Sequence, residues 1–228
     1  MTFTPGDEAK GEPRAGADGD DALGGHRPAG SSPTPERYIF KVGLVGDSGV
    51  GKRTYGKLAT IDIFDDAYLH TFGTVVTKFV LEHLGRHAKV EIRLMVWDIT
   101  AKLDSPSLRA SFLFGVTGAI VMADASRLET VKHVPLWVQL LRRNLGDIPV
   151  AIILNKTDLV NVATVRNAER LMVTYSDRFS APIFKMSAIR HDPKELVAPL
   201  LSLGGRILTR VETEPGESRE HEGPAGDR

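Results

Sequence analysis

Along the chain, short apolar runs alternate with stretches in which apolar residues recur every three or four positions. The first run, 39–45, predicts a buried strand, and 52–61 has helical spacing weakened by Gly56. Residues 61–74 show no clear period and read as a loop. Two alternating runs, 75–84 and 89–97, flank Gly85-Arg86-His87-Ala88 and predict a hairpin. Residues 98–107 are polar and interrupted by Pro106, and 108–114 predicts a short helix. A buried strand follows at 119–123, then a helix at 131–145 ending near Gly146, and a strand at 150–154. The pattern closes with a helix at 164–179, a strand at 183–186 and a helix at 193–208. Short apolar strands alternating with helices imply an α/β chain with a mostly parallel sheet covered on both faces. The hairpin makes one edge antiparallel. Ligands of such sheets bind at the carboxyl ends of the strands.

The ends of the chain lack this pattern. Residues 1–36 are rich in Gly, Pro, Asp and Ala, with few large apolar side chains. They cannot bury enough surface to offset chain entropy, which predicts a disordered tail, and 211–228 reads the same way. A single domain over 37–210 is expected between them. Of 228 residues, 29 Lys and Arg balance 29 Asp and Glu. Zero net charge argues against a dedicated nucleic-acid or membrane-surface binder. There is no cysteine, so no disulfide, thiolate metal site or prenylated cysteine is available, and no direct membrane anchor is expected. The polar N-terminus is unlike a signal peptide, and no apolar run approaches the ~20 residues that span a bilayer. These features predict a cytoplasmic protein.

Candidate chemistry begins where the first strand ends, at Gly46-Asp47-Ser48-Gly49-Val50-Gly51-Lys52. Glycines let the backbone curl so that successive N–H groups face an anion, and the following helix adds its positive end. Lys52 would reach the outer phosphates of a nucleotide, in the pattern G-x-x-x-x-G-K. A second group, Asn155-Lys156-Thr157-Asp158, follows a predicted strand. A carboxylate at Asp158 can accept two hydrogen bonds from guanine, whereas adenine lacks that donor pair. The Lys156 stem can lie on the base, and Asn155 can brace the loop. Ser187-Ala188 follows the next strand, and a backbone N–H there can meet the guanine carbonyl.

With Thr71-Phe72-Gly73 and Trp97-Asp98 added, the order and spacing of these motifs make the core, 39–208, similar to a Ras-superfamily small GTPase of the Rab-like branch. The resemblance implies the three-layer P-loop fold of that family. That fold has a six-stranded mostly parallel sheet with an antiparallel edge strand, and five helices. It implies a GTP/GDP site with Mg²⁺, the guanine lying on 155–158 and on Ser187, Ala188 and Ile189. By position, Phe64 would pack on the guanine edge and Tyr68 would cover the terminal phosphate. Thr71 would bind Mg²⁺ and that phosphate, and Asp98 would hold Mg²⁺ through water. Segments 62–74 and 98–108 would be the switches that meet protein effectors and regulators.

Three positions depart from the family pattern. Arg53 stands where a hydroxyl should ligate Mg²⁺; a guanidinium has no lone pair to give. Thr54 is next, but adjacent helical residues point about 100° apart, so it substitutes poorly. Ala101 replaces a glycine, keeping a phosphate-facing N–H but losing conformational freedom. Lys102 replaces the glutamine that orients the attacking water, and an ammonium has no acceptor for that task. Two functions follow from these departures. One is a switch with weak or partner-dependent hydrolysis, in which Lys52 and backbone amides stabilise the phosphate charge and Lys102 is the second catalytic candidate. The other is a pseudo-GTPase scaffold that binds guanine nucleotide without turnover, or not at all, with Arg53 and Lys102 partly substituting for magnesium. Arg142, Arg143, Arg166 and Arg170 read as solvated helix surface, and His83 and His87 as solvent-facing hairpin residues.

Overall fold

A computed structural model describes residues 36–61, 69–71, 74–84, 89–99, 106–190 and 192–213. The expected tails, apart from Glu36 and 211–213, the hairpin turn at 85–88, and Phe64, Tyr68, Ala101 and Lys102 lie outside the described residues. The elements run in the order β1 Glu36–Gly46, α1 Lys52–Ile61, β2 Leu69–Thr71, β3 Thr74–Leu84, β4 Lys89–Asp98 and α2 Pro106–Leu113. They continue with β5 Val116–Asp124, α3 Leu128–Lys132, α4 Val134–Leu145, β6 Val150–Asn155, α5 Val162–Phe179, β7 Ile183–Lys185 and α6 Pro193–Thr213.

The strands form one sheet in the order β2-β3-β4-β1-β5-β6-β7. β1 pairs parallel with β4 and β5, and β5 and β6 continue the parallel set to β7. β3 runs antiparallel to β4, with Phe79 opposite Leu94, which realises the predicted hairpin edge. The six expected strands are therefore present. A seventh, β2, lies within the stretch expected to be loop and extends the same edge by pairing Thr71 with Thr74 and Leu69 with Val76. Three residues are too few to show an alternating pattern.

Alternation along the strands sends side chains into two cores. Phe40, Val42, Leu44, Ile120, Met122 and Ile153 face α1 and α6. Val45, Ala119, Val121, Ile152 and Leu154 face α3, α4 and α5. The second face uses alanine on β5, and Val131, Val138, Leu141 and Met172 fill the space that leaves. On the first face, Gly118 lets α6 approach closely: a Cβ there would sit 2.6 Å from Ile207 Cδ1. Tyr55 of α1 is buried, and its hydroxyl donates to the Leu196 carbonyl of α6 at 2.9 Å. Burial drives its phenol pKa far above the usual range.

The helix expected over 131–145 begins earlier and is broken once: α3 covers Leu128–Lys132 and α4 Val134–Leu145. His133 joins them and keeps helical dihedrals, with φ −81° and ψ −12°. Pro135 in the first turn of α4 has no N–H to donate, so the hydrogen-bond ladder is interrupted although the path continues. Pro106 opens α2 where it was read as an interruption, in the position where a missing N–H costs nothing. The last helix continues to Thr213, past the expected end at 208. Arg142 is half-buried and bonded to the fold, so it is not simply solvated surface.

Replacing Tyr55 by phenylalanine leaves the Leu196 carbonyl without its donor. The expected loss is about 1–2 kcal/mol of stability, read by urea denaturation, with guanine-nucleotide affinity unchanged.

Candidate nucleotide-binding site

β1 ends at Gly46 with φ 141°, and a Cβ there would lie 2.2 Å from the Met122 carbonyl oxygen on β5. At the other end of the loop, Gly51 has φ 105°, and its Cβ would meet Asn155 Nδ2 at 2.3 Å. Only glycine fits either place. Val50 between them is fully buried. Lys52, 9% exposed, opens α1 and turns back over the loop. Its Nζ donates to the carbonyls of Gly46 and Asp47, each at 2.8 Å. Burial lowers the Lys52 pKa; Asp98 and Asp47 oppose that, while Arg53 and Arg127 add to it. The ammonium thus sits in the loop's mouth as a concentrated charge.

The loop is fixed from outside by residues that the sequence reading did not single out. Asp124, fully buried at the carboxyl end of β5, accepts from Ser126 N–H at 2.9 Å and Ser126 Oγ at 2.6 Å. It also accepts from Arg127 Nε at 3.0 Å and Lys156 Nζ at 2.6 Å. Both cations then reach the loop: Arg127 Nη2 donates to Ser48 O at 2.8 Å, and Lys156 Nζ to Gly49 O at 2.6 Å. Burial alone would raise the Asp124 pKa, but the bonds from Lys156, Ser126 and Arg127 outweigh it and hold the carboxyl below the usual range. Asp47 points the other way, accepting from Trp137 Nε1 at 2.8 Å and paired with His133 Nδ1 at 2.7 Å. A lone aspartate closing a buried apolar run was the available signal for Asp124; nothing local marked Arg127 or His133.

The turn expected to read the base lies against the same loop. Asn155, buried at the end of β6, donates Nδ2 to Val50 O at 2.8 Å and accepts the Ala188 N–H on Oδ1 at 2.9 Å. It is the expected brace, and it engages the Ala188 amide that was a candidate for the guanine carbonyl. Lys156 adopts a left-handed conformation, φ 61°, which brings its ammonium to Asp124 and Gly49. Thr157 N–H and Oγ1 both donate to Met186 O, at 3.3 and 3.1 Å, tying this turn to the segment holding Ser187. Asp158, in the short turn Thr157–Leu159, has a side chain 9% exposed. Both its carboxylate oxygens are buried without a hydrogen-bond partner, and the nearest cation, Arg190 Nε, stands 3.8 Å away. A buried carboxylate lacking donors is costly, and it suits a ligand bringing two N–H groups side by side, as guanine does. Ser187 is buried and Ile189 exposed.

The metal side fits less well. Arg53 is exposed beside Lys52, and Thr54 is half-buried. Asp98 ends β4 opposite Leu44, close enough to Lys52 to raise its pKa. Thr71 lies in β2. Among the described residues, no group of three or more His, Asp or Glu side chains converges as a metal site. Magnesium favours near-octahedral oxygen coordination, and the hydroxyl that Arg53 displaces is missing from the donor set.

This sheet order, with a glycine loop at the end of β1 and the Asn155–Asp158 turn packed against it, is that of a Ras-type GTPase domain. A family described as "Ras of Complex, Roc, domain of DAPkinase" matches residues 41–158. The chain is 26% identical to Ras-related protein RABA1b of Arabidopsis thaliana over 193 residues, covering 84% of this chain and 87% of that protein. It is 28% identical to Ras-related protein RIC2 of Oryza sativa subsp. japonica over 182 residues, 79% and 81% of the two chains. To Ras-related protein Rab11D of Lotus japonicus it is 27% identical over 188 residues, 82% and 84%. The chain belongs to the Ras superfamily of small GTPases, on its Rab-like side. That membership supports a small GTP-binding switch that takes guanine nucleotide, in a family whose members generally meet effectors and regulators. Among the described residues, no helix is long and apolar enough to cross a membrane.

Gly51→Ala should drive a methyl group into Asn155 at a φ that alanine tolerates poorly. We expect a loss of about 1–3 kcal/mol, visible as a lower urea midpoint together with faster release of a fluorescent guanine nucleotide. For Asp124, the depressed pKa means its stabilisation is complete above the unfolded-state pKa of about 4 and fades as pH falls below it. The stability gap between the native chain and Asp124→Asn should therefore be flat from pH 7 to 5 and shrink toward pH 3. A gap that stays constant to pH 3 would contradict this assignment.

Proposed function

We propose that the chain is a guanine-nucleotide-dependent switch whose own hydrolysis of GTP is slow or depends on a partner. The observation that carries this reading is Asp158: a buried carboxylate with two unpartnered oxygens, joined through Asn155 and Lys156 to the anion loop. In this reading the nucleotide phosphates lie on the N–H groups of 46–52, and Lys52 exchanges its carbonyl partners for phosphate oxygens. The guanine edge lies on Asp158, with Ser187, Ala188 and Ile189 beside it and Phe64 at its rim. Tyr68 and Thr71 close over the terminal phosphate. The reaction is in-line attack of water on that phosphate, with Lys52 and the loop amides stabilising the charge that develops. Lys102 has no acceptor to orient the water, and Ala101 restrains the segment that should bring it in. Slow turnover follows from those two residues. Effectors and regulators meet 62–74 and 98–108, and an activating partner supplies the missing water-orienting group. Nucleic acid is not a partner in this reading, the domain expected over 37–210 also takes in Glu36 and 211–213, and the protein acts in the cytoplasm.

Arg53 favours a second reading. A guanidinium in place of the ligating hydroxyl weakens magnesium and offers its own charge to the phosphates, which suits a module that holds nucleotide without turnover. Single-turnover hydrolysis with and without Mg²⁺ separates the two. A clear metal-dependent rate supports the switch. Tight GTP binding without metal and without phosphate release supports the non-hydrolysing module. No guanine-nucleotide binding under either condition overturns the switch.

Asp158→Asn removes a charged acceptor whose hydrogen bonds are each worth about 1.5–3 kcal/mol. Preference for GTP over XTP in competition binding should fall by about ten-fold or more. An unchanged preference would mean that this carboxylate does not read the base.

A further inference from the structure

The parallel strands carry the nucleotide site at their carboxyl ends. At their opposite ends, the last turns of α4 and α5 bring Arg142, Arg143 and Arg178 together with Gln139 and Phe179 around a cavity of about 390 Å³. Part of this charge serves the fold, because helix carbonyl ends attract cations. Arg142 Nη2 donates to Phe179 O at 2.9 Å and pairs with Asp147 Oδ1 at 2.8 Å. Its Nε, however, is buried with no acceptor. The guanidinium carbons of Arg142 and Arg178 lie 5.4 and 5.2 Å from the centre of the Phe179 ring, so two cations share one ring. Among the described residues, Arg143 and Arg178 have no acceptor for a hydrogen bond or ion pair.

The surroundings do not cancel this charge. Asp147 is the one carboxylate paired within the cluster. Asp177 precedes Arg178 on α5 and so points about 100° round the helix from it. From α6, Arg206 donates to Val150 O and Ser180 O, adding a further positive charge beside the cluster. Three guanidiniums against one carboxylate leave a surplus suited to a dianion. The guanidinium fork matches phosphate oxygens in pairs. The hollow is shallow and open to solvent, which leaves room for a phosphate whose remaining headgroup projects outward.

We propose that this hollow binds a phosphomonoester group carried on a small polar headgroup. It uses no residue of 46–52 or 155–158, so it stands apart from the nucleotide reading.

The test uses the full chain loaded with GDP, titrated with a soluble inositol bisphosphate and followed by amide and arginine Nε resonances. Saturable shifts are expected at 139–143 and 178–179. In the double variant Arg143→Gln/Arg178→Gln the affinity should drop at least ten-fold, with melting temperature and GDP retention unchanged. A parallel arm compares sedimentation with phosphatidylcholine vesicles with and without phosphatidylinositol 4-phosphate. Capture by the second vesicles alone identifies a lipid headgroup as the source, and soluble binding without capture identifies a free phosphate ester; either supports the site. Shifts confined to 46–52, titration without saturation, or equal affinity in the variant would overturn it. A chain that fails to retain GDP counts against the nucleotide reading alone, because the two sites report through different resonances.

Discussion

The carboxamide of Asn155 is the constraint on which the rest of this structure turns. One side donates to the Val50 carbonyl in the loop, and the other accepts the Ala188 amide beyond β7. Three chain segments far apart in sequence are thereby held at one rim of the sheet. The contact is short because Gly51 has no side chain, leaving Nδ2 where a Cβ would otherwise intrude. The shape of the loop and the placement of the turns at 155–158 and 187–190 are thus not independent. A change in either is felt through a single buried amide.

The sheet makes that amide possible. β1, β5 and β6 are adjacent and parallel; Asp124 and Asn155 end level with each other, and Gly46 stops opposite Met122, two residues short of them. Each strand end delivers a different element of the site: a curled backbone, a buried carboxylate and an amide. Asp124 then distributes two cations onto neighbouring loop carbonyls. On the far side, the break at His133 turns its ring toward Asp47, with Trp137 one turn further along. The loop is therefore clamped between the start of α4 and the strand tips. Lys52 adds two bonds from within the loop itself.

What was legible in the sequence was whatever was contiguous. The glycine loop and the tetrapeptide at 155–158 carry their chemistry within a few residues, and the strands carry theirs in apolar runs. The Arg127 contact with Ser48 was not legible, because it depends on β1 and β5 being neighbours. The three-residue β2 has too little length for a period, and it exists because β3 offers it an edge. The helix break at His133 was recoverable from Pro135, which removes a donor, yet the apolar spacing on either side concealed it. The extra turn of α6 adds one apolar residue, Val211, which continues the spacing of Ile207 and Leu208 and packs on the same core. For Arg142, spacing indicated a surface position, but a long side chain can reach back to a neighbouring helix end.

Lys52 Nζ is gripped by the carbonyls of Gly46 and Asp47, each at 2.8 Å. An anion that binds this loop through Lys52 must outcompete both acceptors. On charge density alone, a polyphosphate does so more readily than chloride or a single carboxylate.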